Sequence, residues 1–250
     1  MLNPDRFREV VEKVSRDIVS IQHREGGSFI STPLMYPSGG FVVVKVDPSE
    51  GNYFVSDYGM GYEEAELLGG QSVYNRHARP IAEAAGVGFD NHSFFAIYVE
   101  EGRLPGAIAT IANCSQEAVA VTARKMAERR QMAASDLLYQ RLVEVYTQKL
   151  VSRDAEIIGA SNTTWHISSV VREGKRVAAF EAVTKHHTSV AAAHTKFSDL
   201  ARLDKPPNRV SVVSSKQSMD TYLSLLSQTS SVIELKAPDP TIKRFIDHAA

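Results

Sequence analysis

The chain has 250 residues, with 28 Lys+Arg against 29 Asp+Glu, 8 His, a formal net charge of −1 and 43% hydrophobic residues. That apolar content suffices for a packed core and excludes a disordered chain. No apolar run approaches the roughly 18 residues of a membrane-spanning helix, and the single cysteine, Cys114, excludes a disulfide framework and a Cys-based zinc cluster.

The start, Met1-Leu2-Asn3-Pro4-Asp5-Arg6, has no apolar signal core, so a cytoplasmic protein is expected. Residues 1–130 hold 13 basic and 17 acidic side chains, and residues 131–250 hold 15 and 12. The basic excess of the second half is smaller than that of strong nucleic-acid binders.

A first helix is predicted with Asn3 as N-cap and Pro4 at its first position. Phe7, Val10, Val11, Val14, Ile18 and Ile21 give it an apolar face, and Gly26-Gly27 ends it. Strands are expected at Ser28–Leu34, Phe41–Val46 and Asn52–Ser56, the last two as a hairpin. Helices over Tyr62–Leu68 and Val73–Ala85 follow, then a strand at Phe94–Val99. From Pro105 to about Val151 the pattern is helical, with a break near Asn113-Cys114, a restart at Ser115 and Glu117, and Ser135 as a candidate N-cap.

The second half reads as strands at Glu156–Ala160, Thr164–Val171 and Arg176–Thr184, with Glu173-Gly174-Lys175 turning the last pair. Helix Ser189–Leu203, strand Arg209–Ser214, helix Thr221–Ser227, strand Ser231–Leu235 and a short helix after Pro240 complete it. The fold class is α+β in two domains: an N-terminal domain of three to four strands over 1–103, a helical connector over 104–134, and a C-terminal domain over 135–250.

The α-β-β-β-α-β order of the second domain, over about residues 135–235, resembles the restriction-endonuclease-like fold, also called the PD-(D/E)XK superfamily. The resemblance implies an acidic residue on the second core strand and a Glu/Asp-x-Lys on the third, which hold Mg²⁺. Glu181 occupies the acidic place on the third strand, but Val183 stands where the lysine belongs. Lys185 falls on the same strand face, about 13 Å along from Glu181. The second strand, Thr164–Val171, has no carboxylate. Catalytic candidates are therefore Glu181, Lys185, Glu144 and Glu156, with Glu181 and Glu156 as metal ligands.

In the first domain, Thr32-Pro33, a strand pair and then Ser56-Asp57-Tyr58-Gly59 look like an uncharacterised prokaryotic and phage domain family. Members carry Thr-Pro on one strand and a (Thr/Ser)-Asp-x-Gly turn after a later one, often with a nuclease-like second domain of unknown function. Tyr36-Pro37-Ser38-Gly39-Gly40 departs from the acidic residues many members have there. Asp57 is expected to be structural, since Asp before a tight turn caps nearby N–H groups. Tyr36, Tyr53 and Tyr58 are either a recognition patch or aromatics packed beside the sheet.

His186, His187 and His194 lack an adjacent carboxylate and are not read as a metal site. The loop before the helix at Ser189 offers Lys185, His186, Thr188 and Ser189 to a phosphate. With Lys196, Arg202 and Arg209 these form the nucleic-acid-binding set if they share a face. Cys114 is expected to be a buried small hydrophobe and Trp165 a core anchor.

The leading expectation is a non-catalytic protein that recognises nucleic acid or a protein partner in conflict between phage or mobile elements and a host. It would need no cofactor, and a homo-oligomer is compatible with it. One alternative is a Mg²⁺-dependent nuclease with a rearranged site; the other is an inhibitor or immunity-type interaction module.

Overall fold

A computed structural model describes residues 4–247. Contacts divide the chain into two compact units, meeting between Met126 and Ala127. Asn3, expected to cap the first helix, lies outside the described residues.

The N-terminal unit opens with helix α1 (Pro4–Asp17), whose apolar face stays exposed. Strands β1 (Ser20–Arg24), β2 (Gly27–Met35), β3 (Phe41–Ser49) and β4 (Asn52–Ser56) follow, then helices α2 (Met60–Leu67) and α3 (Gln71–Ala85) and strands β5 (Gly88–Asp90) and β6 (Ser93–Val99). The sheet order is β1-β2-β3-β4-β6-β5, antiparallel throughout. It has six strands rather than the expected three or four. Ile21, assigned to the first helix by its spacing, lies on β1. Gly26-Gly27 turns the β1–β2 hairpin instead of ending a helix. Period-two alternation puts Val42, Val44 and Val55 on one face of the sheet, against Tyr74, Ala78 and Ala82 of α3.

Helix α4 runs unbroken from Leu104 to Tyr146, so there is no break at Asn113-Cys114 and no N-cap at Ser135. The apolar spacing continues through Asn113-Cys114, and Cys114 faces the core. Residues 104–134 do not form a separate connector: Ile111, Ala112, Ala118 and Val119 belong to the N-terminal core, whereas Leu138, Leu142 and Tyr146 belong to the C-terminal one.

The C-terminal unit continues with β7 (Val151–Ile158), β8 (Thr164–Glu173), β9 (Arg176–Ala182), α5 (His187–Leu200) and β10 (Asn208–Val213). Helices α6 (Lys216–Met219) and α7 (Tyr222–Ser227), strand β11 (Ser231–Glu234) and helix α8 (Asp239–Asp247) complete it. The sheet order is β11-β10-β9-β8-β7. β7, β8 and β9 form an antiparallel meander, and β10 and β11 add in parallel. β9 reads as an apolar run because both its faces are covered. Ala178, Phe180 and Ala182 pack with α4 and α8, and Ala179 packs with Phe197 and Leu200 of α5. The next residue on the α5 face is Glu181.

Candidate functional site

Alternation along β9 turns the carboxylate of Glu181 toward α5, where it is 5% exposed. There Lys196 Nζ lies 2.6 Å from Oε1 and donates a second bond to the His166 carbonyl, also at 2.6 Å. Oε2 accepts from the Ser168 backbone N–H at 2.8 Å and the Ser168 hydroxyl at 3.1 Å. Ser168 in turn accepts from Ala182 N–H and from the Ser135 hydroxyl of α4. Gln131, one turn earlier on α4, donates to the Ala182 carbonyl at 2.7 Å and accepts from Ser189 and Thr184 hydroxyls. The end of β9 is thus tied to β8, α4 and α5 by a polar network in which both oxygens of Glu181 have partners.

The other sequence-predicted acids are not joined to this network. Glu144 is exposed on α4 beside Arg141, at 3.4 Å. Glu156 is exposed on β7, where His166 stands 3.6 Å from it and 3.6 Å from Asp154. Lys185 is exposed beyond the end of β9, and it is Lys196 that meets Glu181. Mg²⁺ requires several convergent oxygens. Here an ammonium sits against one Glu181 oxygen, and Ser168 stands opposite where a second carboxylate would be needed. Among the described residues no group of three or more His, Cys, Asp or Glu could hold a metal ion. The donor set around Glu181 does not fit Mg²⁺.

The candidate nucleic-acid set is likewise divided. His186 caps α5, with its ring nitrogen 2.5 Å from Thr188 Oγ1, and both are exposed. Ser189 is used inside the fold by Thr184 N–H and Gln131. Arg209 donates to the Thr229 and Pro207 carbonyls and holds a loop. Arg202 is exposed at the far end of α5. Lys196 and Arg209 are therefore internal braces rather than an open basic surface. His194 Nδ1 stands 3.2 Å from the Leu225 carbonyl oxygen.

Asp199 was not singled out by the sequence. Its Oδ2 accepts from Trp165 Nε1 and Ser161 Oγ, both at 2.7 Å, and Oδ1 accepts from Ser161 N–H at 3.0 Å. This pins the β7–β8 turn to α5. Gly159 is required there, because a Cβ would stand 1.9 Å from Oδ2. The hydrogen bonds from Ser161 and then Trp165 hold the carboxyl below its ordinary value of 3.8. The resulting stabilisation is present above the unfolded-state pKa and is lost as pH falls through the lower folded one. Acid titration followed by Trp165 fluorescence is therefore expected to show the advantage of wild type over Asp199→Asn shrinking below about pH 4. A difference that stays constant down to pH 2 would contradict it.

The N-terminal motif builds a second buried network. Ser56-Asp57-Tyr58-Gly59 turns from β4 into α2 with Tyr58 and Gly59 both left-handed, at φ 55° and 76°. Asp57 is fully buried. Its Oδ1 accepts from Phe94 N–H at 2.9 Å and Gly59 N–H at 3.3 Å, and its Oδ2 from Ser115 Oγ of α4 at 2.7 Å. Tyr36 Oη stands 2.8 Å from Ser115 Oγ and extends the chain. A Cβ on Gly61 would meet Ser115 Oγ at 2.5 Å and Tyr74 Oη at 2.7 Å, so glycine is needed for this approach. Burial raises the Asp57 carboxyl, opposed by Ser115 and the backbone N–H donors. Thr32 of the Thr-Pro pair donates to the Val42 carbonyl and stitches β2 to β3 at an irregular register. Both motif residues are thus structural. Cys114 is buried nearby, its thiol pushed up to about 11 by burial, which leaves it a poor nucleophile at neutral pH.

No protein-family profile, curated protein or solved structure matches this chain.

Proposed function

We propose that the protein is a non-catalytic recognition protein whose C-terminal unit has the restriction-endonuclease-like architecture without its metal chemistry. The architectural part is supported by the succession α4-β7-β8-β9-α5-β10 and by a meander whose third strand pairs in parallel with the fourth. The loss of cleavage rests on one observation: the Glu181 carboxylate is closed on Lys196 and Ser168. A lysine ammonium at hydrogen-bonding distance neutralises the charge that a divalent cation would need. The setting in phage or mobile-element conflict rests on the resemblance of Thr32-Pro33 and Ser56-Asp57-Tyr58-Gly59.

The test is a cleavage assay on plasmid, single-stranded DNA and RNA with Mg²⁺ or Mn²⁺, comparing wild type with Glu181→Gln. Both proteins are expected to leave every substrate intact. Cleavage by wild type that disappears in Glu181→Gln would overturn the reading and make the protein a nuclease with Lys196 in place of the strand lysine.

A further inference from the structure

The face of the N-terminal sheet opposite the Val42–Val44–Val55 core carries a compact group of aromatic and cationic side chains. Register places Gln22, Phe29, Lys45 and Ser56 in one row across β1, β2, β3 and β4. Beyond Ser56 the left-handed turn folds Tyr58 back over this row. Its ring meets Phe29 edge-on at 6.1 Å and 88°. Lys45 Nζ lies 5.0 Å from the Tyr58 ring centre and 5.8 Å from that of Phe29, and Arg24 Cζ lies 5.1 Å from Phe29. Beside them a hollow of about 180 Å³ is lined by Ser20, Gln22, Arg24, Phe29, Ser31 and Met60, among others.

Two features show that Tyr58 is displayed rather than merely left over. It is 59% exposed, although a large ring next to a sheet gains by burial. It also occupies a left-handed backbone conformation that glycine takes freely and that costs an aromatic residue strain, as at Tyr98. The buried Asp57 network holds the turn that imposes this conformation, so the motif anchors itself with one residue and presents the next.

The charges select the occupant. Arg24 and Lys45 at the rings repel a cationic ligand, which excludes an aromatic cage for an ammonium group. Lys45 is shared with Asp47 at 3.0 Å, while Arg24 on the exposed edge strand lies over the Phe29 ring and donates to the Gln22 amide oxygen at 3.2 Å. The site therefore offers one ring to stack on, one open guanidinium for an anion, and the amide and hydroxyl groups of Gln22, Ser20 and Ser31 for hydrogen bonding. A flat, polar-edged ring on an anionic backbone satisfies all three, and duplex bases have no free ring face to give. We infer that this sheet face binds single-stranded nucleic acid by stacking a base on Tyr58. The inference goes beyond the recognition reading by naming the partner class, and it concerns the N-terminal unit alone. Cleavage at Glu181 would therefore overturn that reading without touching this one.

The full-length protein is titrated into fluorescein-labelled dT12 and rU12, with a duplex and a polyglutamate peptide of equal charge as comparators, and anisotropy is read. Wild type is expected to bind the single strands in preference to both comparators. Tyr58→Gly, which removes the ring and relieves the backbone, is expected to bind about 5- to 100-fold more weakly while remaining folded. Arg24→Ala is expected to flatten the slope of log K against log salt by about 0.7. Wild type that binds no single strand, that prefers duplex, or that takes polyglutamate equally would overturn the inference. So would unchanged affinity in Tyr58→Gly, which would move the contact to another surface.

Discussion

Asp57→Ala is expected to destabilise the N-terminal unit by roughly 3–5 kcal/mol, a large fraction of the total stability of a small unit. The substitution removes the acceptor for the Phe94 and Gly59 N–H groups and for the Ser115 hydroxyl, all around a fully buried side chain. Each donor stranded in the interior costs about 1–3 kcal/mol. Hydrogen exchange read by mass spectrometry on the whole chain should show protection lost across β4, β6 and α2. Asp57→Asn keeps an acceptor for the two N–H groups and should cost less. Because burial raises the Asp57 pKa, its contribution is greatest below the unfolded-state value of 3.8 and is lost as pH rises through the folded one. The penalty of Asp57→Asn should accordingly be smaller at pH 7 than at pH 4. Full protection retained in Asp57→Ala would show that the turn holds without its anchor.

Lys196→Met should cost about 3–5 kcal/mol, because it leaves a carboxylate that is almost wholly buried without its counter-charge. Glu181→Gln should cost less, since the lysine can extend to solvent and a glutamine oxygen can still accept from Ser168. The double variant Lys196→Met/Glu181→Gln should recover most of the loss, and that coupling is the signature of a closed pair. Urea unfolding followed at Trp165 reads all three. Additive losses would mean that Lys196 and Glu181 act independently, and the reading of Glu181 as a neutralised remnant would fall with them. The same pair explains why Lys185, beyond the end of β9, does not meet Glu181. A helix returning across a sheet face brings a residue fifteen positions away closer than one four positions further along the chain.

Much of the element order was legible in local pattern. The alternating strands β2 to β4, the Glu173-Gly174-Lys175 hairpin and the α-β-β-β-α-β succession followed from hydrophobic period and turn chemistry. The structural role of Asp57 was also legible, because Asp and Gly at that spacing have a local reason to cap a turn. β1 was not, because Ile21 continues the helical spacing of α1 by coincidence, and only pairing with β2 makes that segment extended. The continuity of α4 was hidden too, since Ser115 and Ser135 are good helix starters that packing overrides.

The sequence by itself determined composition, the α+β class and the turns, because these depend on residues within a few positions of one another. Only the tertiary structure decided that Lys196 rather than Lys185 meets Glu181, that Asp199 holds Trp165 and Ser161, and that Arg24, Phe29, Lys45 and Tyr58 gather on one face. Such contacts depend on which strand face a side chain takes and which element returns over it. That choice is fixed by burial summed over the whole unit, and no short stretch of sequence contains it.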